Sequence, residues 1–486
     1  MSLGWRGSRR VLAGCVAAAW AASSWWGSHK PLPPGAHVAS APSAVPAADL
    51  AFIADITAAD AYGRPVVSQA IFNQLLQIVR GARMFVVLDY ALIGGAPVAG
   101  SPALGAQLQD ALLERRRALP ALKVLLISDP ANEASGGPAA SAVLQLLRSA
   151  DMDVVITDPG VLRDSNPLYS GLWRLTASWW DTAAGPLRGA TQRYTFKHDH
   201  RKVIIADNGH GALTGMVGSA NPQDAQGLWS NVAVRLAGEP LDVLLASELA
   251  LARASGWRGD AAQFSAAAPA AGAQAATAGA PAAVPVGSTA RVQALTEGAI
   301  SEALLAQLNA AGRGDTIDVA AFKLADRGVI RALLAAAGRG ASVRVLLDPG
   351  EDEQVTTGGI PNQPMASELE SRSDGAVRVR WYRTHGERFH STLVMVYGQE
   401  RLWFMTGSAN LTRRSLGDYN LEADAAVEVA RSAALAAQLL GYFDTLWSNR
   451  AALGIEYSSD FAVFANPSQA DYWLTRVMEA SGASAF

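Results

Sequence analysis

The chain has 486 residues, enough for two domains of ordinary size, and half of them are apolar. A formal charge of −3 excludes a global electrostatic case for nucleic-acid binding, so phosphate recognition has to be local. The single cysteine, Cys15, excludes an intrachain disulfide framework.

Residues 1–30 read as a targeting segment, a signal peptide or a signal anchor. Arg6, Arg9 and Arg10 precede an apolar run over 11–26, and such a basic end stays cytoplasmic. The run is long for a signal core and short for a membrane span. Ala19-Trp20-Ala21 offers a cleavage site, whereas Trp25 and Trp26 offer interface anchors on a retained helix. Either way the body lies outside the cytoplasmic membrane, in the cell envelope. Leu12-Ala13-Gly14-Cys15 is similar to a lipobox but lacks a preceding apolar run. Residues 31–48, rich in Pro and Ala, read as a tether.

Two similar halves follow, over 49–260 and 290–486, each alternating strands and helices. In the first, the spacing predicts a helix over 71–79, a strand over 84–88, a helix over 103–117 and a strand over 124–127 stopped by Asp129-Pro130. In the second it predicts a helix over 301–311, a strand over 316–320, a helix over 328–337 and a strand over 343–347 stopped by Asp348-Pro349. The repeated stop argues for duplication. Short continuous apolar strands between helices predict an α/β fold, with mixed sheets flanked by helices. Residues 261–289, mostly Ala, Pro and Gly, read as a linker, and 350–364 as a rim loop.

The chemistry concentrates in two motifs. His200-Arg201-Lys202 opens the first, Asp207 follows, and Gly218-Ser219-Ala220-Asn221 closes it. His390-Ser391-Thr392 opens the second, with Tyr397 where the first has Asp207, and Gly407-Ser408-Ala409-Asn410 closes it. In extended chain, residues i and i+2 share a face, so His200 and Lys202 can converge on one anion. Thr392 removes that cation from the second copy. Arg388, Arg413, Lys323 and His385 are the candidates to replace it.

This pair of motifs resembles the signature of the phospholipase D superfamily, His-x-Lys, four residues, Asp, then Gly-Ser-x-Asn. The first copy fits at every signature position. The second keeps its His, Ser and Asn, and Arg414-Ser415, Asn420 and Glu422 fit the usual tail. Ala220-Asn221-Pro222 with Ser230-Asn231-Val232-Ala233-Val234 looks like bacterial members related to cardiolipin synthases. The resemblance implies two halves packed around one active site.

It also implies roles. His200 would be the nucleophile and His390 the general acid and base. Lys202, Asn221 and Asn410 would contact phosphate oxygens. Ser219 and Ser408 would donate hydrogen bonds, and Asp207 would satisfy backbone donors or a nearby cation. Glu422 would orient His390. Counting from each Gly-Ser-x-Asn aligns Asn231 with Asn420 and Ala233 with Glu422, so His200 would lack a carboxylate partner and Asn231 would stand in. A displacement through phosphohistidine requires no metal or cofactor. The implied activity is phosphodiester cleavage or exchange on a glycerophospholipid, with water or an alcohol as acceptor. The alternatives are a cardiolipin-synthase-like transferase and a non-catalytic lipid- or phosphate-binding homologue. A membrane is the expected partner and nucleic acid is not; the oligomeric state stays open.

Overall fold

The computed structural model describes residues 3–60, 62–96, 100–181, 191–265, 289–350, 361–449 and 455–484. Most of the expected linker and rim loop fall outside these residues.

Two mixed sheets share one strand order. The first runs Ala51–Asp55, Asn231–Ala237, Leu213–Gly218, Lys202–Asp207, Phe85–Tyr90, Lys123–Ser128, Asp153–Ile156. The second has the same seven-strand order, Thr289–Thr296, Ala423–Ala430, Arg401–Gly407, Thr392–Tyr397, Thr316–Ala321, Ser342–Leu347, Val377–Tyr382, with Ser43–Pro46 and Ser458–Asp460 added antiparallel at its two edges and set aside in the comparison that follows. In both, the last three strands are parallel and the other neighbours antiparallel. Corresponding helices follow the same plan. Ala70–Gly81, Leu104–Ala118 and Glu239–Ala254 match Gly298–Ala310, Arg327–Gly338 and Ala434–Ser448.

Strand alternation explains the layering. Val87, Val203 and Ile205 face a core shared with Leu393, Met395 and Phe404 of the other half. Their neighbours Val86, Leu88, Ile204 and Ala206 face the helices of their own half. Both faces of each central strand are therefore buried, and the sequence reads as an unbroken apolar run.

Residues 31–48 are not a free tether. Ser43–Pro46 pairs with Thr289–Thr296 and covers what would be a bare sheet edge. The Ala36 carbonyl accepts hydrogen bonds from Arg201 Nη2 at 3.0 Å and Thr296 Oγ1 at 2.5 Å. Residues Leu3–His29 form one helix that packs on Pro167–Thr176. Among the described residues, no helix is long and apolar enough to cross a membrane.

Arg201 lies between the halves, fully buried. It pairs with Glu297 at 2.8 Å and Glu248 at 3.1 Å. Removing one partner of such a set leaves buried carboxylates uncompensated. Arg201→Met should therefore destabilise the protein by about 3–5 kcal/mol, read as a lower urea midpoint.

Candidate active site

Each motif histidine is held by the opposite half. The short strand His198–Asp199 runs parallel to Asn420–Leu421, and His200 N donates to the Leu421 carbonyl at 2.9 Å. Ser230 bridges Phe389 in the same sense, and His390 N donates to the Ser230 carbonyl at 2.8 Å. The repeated Asp-Pro stops support both segments. Asp129 accepts from Asp199 N at 2.6 Å, and Asp348 from Phe389 N at 2.7 Å. What reads in the sequence as a strand stop is therefore also a clamp one residue ahead of each histidine.

This crossed pairing reverses the expected partner of Glu422. His200 Nδ1 lies 2.9 Å from Glu422 Oε2, whereas His390 Nδ1 lies 3.0 Å from Asn231 Oδ1. His200 thus has its carboxylate and His390 has an amide. The expected alignment is off by two residues. Ser219 N donates to the Val232 carbonyl, and Ser408 N to the Ala423 carbonyl. Ser219 Oγ donates to Asn231 Oδ1 at 3.0 Å, and Ser408 Oγ to Glu422 Oε2 at 2.5 Å. Asn231 therefore corresponds to Glu422, and the second half carries two extra residues in the intervening loop. Counting along the chain cannot detect such an insertion, whereas hydrogen-bond register can.

Both imidazoles line one cleft of about 230 Å³, with Asn410, Lys323, Arg414, Asn420 and His198 among its walls. The other expected residues do not line it. Lys202 is buried, and its Nζ donates to the His200 carbonyl at 2.7 Å. Asn221 is turned aside: its Nδ2 donates to Gln226 Oε1 at 3.0 Å, and its Oδ1 accepts from Leu92 N at 3.3 Å. Ser219, Ser408, Asn231 and Glu422 stand behind the rings as hydrogen-bonding support. Asp207 is remote from the cleft, where it accepts from the backbone N–H groups of Arg83, Met84, Phe85 and Gly209. At the matching place, the Tyr397 hydroxyl donates to Asp318 at 3.0 Å, and Asp318 also pairs with Arg344.

The electrostatics favour neutral rings. Burial lowers the His200 pKa, with Glu422 opposing and Lys202 reinforcing the shift. Burial takes His390 well below its usual value, and the charges of Lys202, His200, Arg388 and Lys323 add to this. Burial alone would raise Glu422, but His200, Lys202 and Ser408 hold it below the usual carboxylate range. Burial draws Lys202 down to about 8, against the nearby carboxylates Glu422, Asp199, Asp89 and Asp424.

The register also locates the cation opposite Lys202. Tyr90 stands across from Lys202, and Ala321 across from Thr392. Ile93 N and Leu324 N make the same bond, to Asn132 and Asn362. Leu92 therefore corresponds to Lys323. The half that lacks a lysine at 392 has one at 323, on the cleft wall. Arg388 stacks over Trp229 and Phe322, the two rings beside His390. Arg413 lies over Tyr419, His385 pairs with Glu387, and neither lines the cleft. Sequence reasoning did not single out Trp229 and Phe322, because isolated aromatics carry no positional signal. Arg414, noted only as part of a motif tail, proves to be a cleft residue whose pKa burial lowers to about 10. Among the described residues, no cluster of three or more His, Cys, Asp or Glu side chains is placed to hold a metal ion.

A family profile described as "Cardiolipin synthase, PLD-like domain" matches residues 304–447, which include His390 and Asn410. No curated protein matches the chain. Among solved structures, phosphatidylserine synthase from Haemophilus influenzae Rd KW20 is 12% identical with a TM-score of 0.54, covering 90% of this chain and 93% of that one. Polyphosphate kinase from Porphyromonas gingivalis is 11% identical with a TM-score of 0.46, covering 90% and 56%. Nuc, a phospholipase D family member from Salmonella typhimurium, is 18% identical with a TM-score of 0.27, covering 35% and 97%. Residues 304–447 thus match a phospholipase D-like domain, and the first half repeats its motif and strand order in a two-half fold similar to that of phosphatidylserine synthase.

Proposed function

We propose that this protein is a phosphodiesterase or phosphatidyltransferase acting on glycerophospholipids through a phosphohistidine. The observation that carries this reading is the pair of imidazoles in one cleft, each tied at Nδ1 by the opposite half. A ring held at Nδ1 presents Nε2 on its other side. His200 Nε2 would attack phosphorus, forming a P–N bond as the P–O bond to the leaving alcohol breaks. His390 would give its proton to that oxygen. Water or a second alcohol would then attack, His390 would take the incoming proton, and the P–N bond would break. Glu422 favours His200 as nucleophile, because a phosphorylated imidazole carries positive charge that a carboxylate at Nδ1 stabilises. The amide of Asn231 stabilises imidazolium less, which makes protonated His390 a stronger acid toward the leaving group. A bound phosphodiester anion would favour that protonated form. Hydrolysis and transfer share the intermediate, so the acceptor that reaches it decides between them.

The phosphate oxygens would meet Lys323 and Asn410 from the cleft wall, with Lys202 beneath. Lys323 would supply the charge missing at Thr392.

Three outcomes test the reading. Incubation with labelled phosphatidylglycerol or phosphatidylcholine, with and without a primary alcohol, should give free headgroup or exchanged lipid. His200→Ala should lower that rate at least about a thousandfold; lipid binding without product from the parent protein would instead indicate a non-catalytic homologue. Lys323→Ala should slow turnover by roughly tenfold to a thousandfold. Adding Thr392→Lys to that variant should restore part of the rate, and an unaffected Lys323→Ala rate would remove this lysine from the site. Asn231→Asp should raise the His390 pKa and move the alkaline limb of the rate profile up by about one pH unit or more. Glu422→Gln should lower the His200 pKa and move the acid limb down.

A further inference from the structure

The N-terminal helix Leu3–His29 is part of the fold and not an appendage. Trp20 Nε1 donates to the Leu168 carbonyl at 2.8 Å, and Ser23 Oγ to the Gly171 carbonyl at 3.1 Å. Arg174 returns a bond to the Ser23 carbonyl at 2.7 Å, and Asp164 N donates to the Gly27 carbonyl at 2.9 Å. Ser24 is buried against Gly171, where an added Cβ would lie 2.1 Å from Ser24 Oγ. Close backbone approach of this kind requires the glycine. Cleavage at Ala19-Trp20-Ala21 would remove the contact to Leu168 and leave the rest of this interface on a frayed stub.

Among the described residues, the helix pair also leaves large apolar side chains exposed. On Pro167–Thr176 and just beyond it, Leu168, Leu172, Trp179 and Trp180 are exposed, with Trp179 at 76%. On the N-terminal helix, Val11 and Val16 are exposed as well, and Arg9 and Arg10 lie exposed toward its N-terminal end. Large apolar side chains exposed together on two packed helices are unusual on a soluble monomer. Apolar side chains with tryptophans and an adjoining basic end match the interface of a bilayer carrying anionic headgroups. The second helix is also tied to the segment that leads to the site: Asn166 N donates to the Thr195 carbonyl at 3.3 Å, and the Phe196 carbonyl accepts from the cleft residue Arg414.

We infer that the N-terminal helix is retained after synthesis and, with Pro167–Thr176, seats the protein on an anionic phospholipid bilayer. Neither helix crosses the bilayer alone; the pair lies at its surface and holds the cleft near the headgroups. This inference rests on packing and exposure and not on turnover, so its test stands whether or not the cleft is catalytic.

The test uses the full chain expressed in bacteria. Intact mass of the membrane fraction should correspond to a polypeptide that keeps residues 1–30, and the purified chain should float with vesicles of phosphatidylethanolamine and phosphatidylglycerol. Leu172→Asp combined with Trp180→Asp should lower the floated fraction by about tenfold. Both side chains are exposed, so the thermal midpoint should not move; Trp179→Asp alone, at the most exposed position, gives a second variant with the same expected direction. Partition into pure phosphatidylcholine vesicles should be weaker. A mature chain that begins beyond residue 20, a parent protein that does not float, or folded variants that float like the parent would each overturn the inference.

Discussion

A buried polar chain between the two halves holds the site together. Arg201 pairs with Glu297, Glu297 accepts from the backbone N–H of Glu422, and the Glu422 side chain holds His200. Arg201 and Glu297 are fully removed from water, and burial pushes Glu297 up to about 7 against the attraction of Arg201. Such a set is costly to break and contributes position more than net stability. Its members come from both halves, so the His200 ring is held in this position only when the halves are docked. The residue between His200 and Lys202, which extended geometry sends to the opposite side, is the one that fastens the halves.

The two halves supply equivalent frames with different charges. Thr392 stands at the place of Lys202, Lys323 at the place of Leu92, and Asn231 at the place of Glu422. The half without a lysine on its motif strand has one at the end of the neighbouring strand, on the cleft wall. The two rings also lie in unlike fields, one with a carboxylate and one with an amide and several cations. A pseudo-symmetric scaffold thereby offers two histidines of different basicity, as the proposed nucleophile and proton carrier require.

Aromatic packing gives His390 a further distinction. Trp229 and Phe322 flank its ring, with centroids 5.1 and 4.7 Å away, and Arg388 lies over both. These rings exclude water from one side of the imidazole and help explain why burial is the largest influence on it. The first half has Ala91 at the place of Phe322, and both line the cleft.

Much of the architecture was legible without coordinates, because strand and helix periodicities are local properties. The apolar runs at 85–88 and 203–206, the two Asp-Pro stops and the spaced motifs depend only on near neighbours in the chain. Those features determined an α/β fold in two similar halves and singled out His200 and His390. Which carboxylate serves which histidine was not legible. Glu422 lies 222 residues from His200, and the pairing depends on short strands from opposite halves and on a two-residue insertion. Nor could periodicity show that residues 31–48 complete the second sheet, that Asn221 turns away from the cleft, or that the N-terminal helix docks on Pro167–Thr176. Local chemistry determined the elements and the reactive side chains; only tertiary contact decided their partners, because hydrogen-bond register and burial are set by residues distant in the chain.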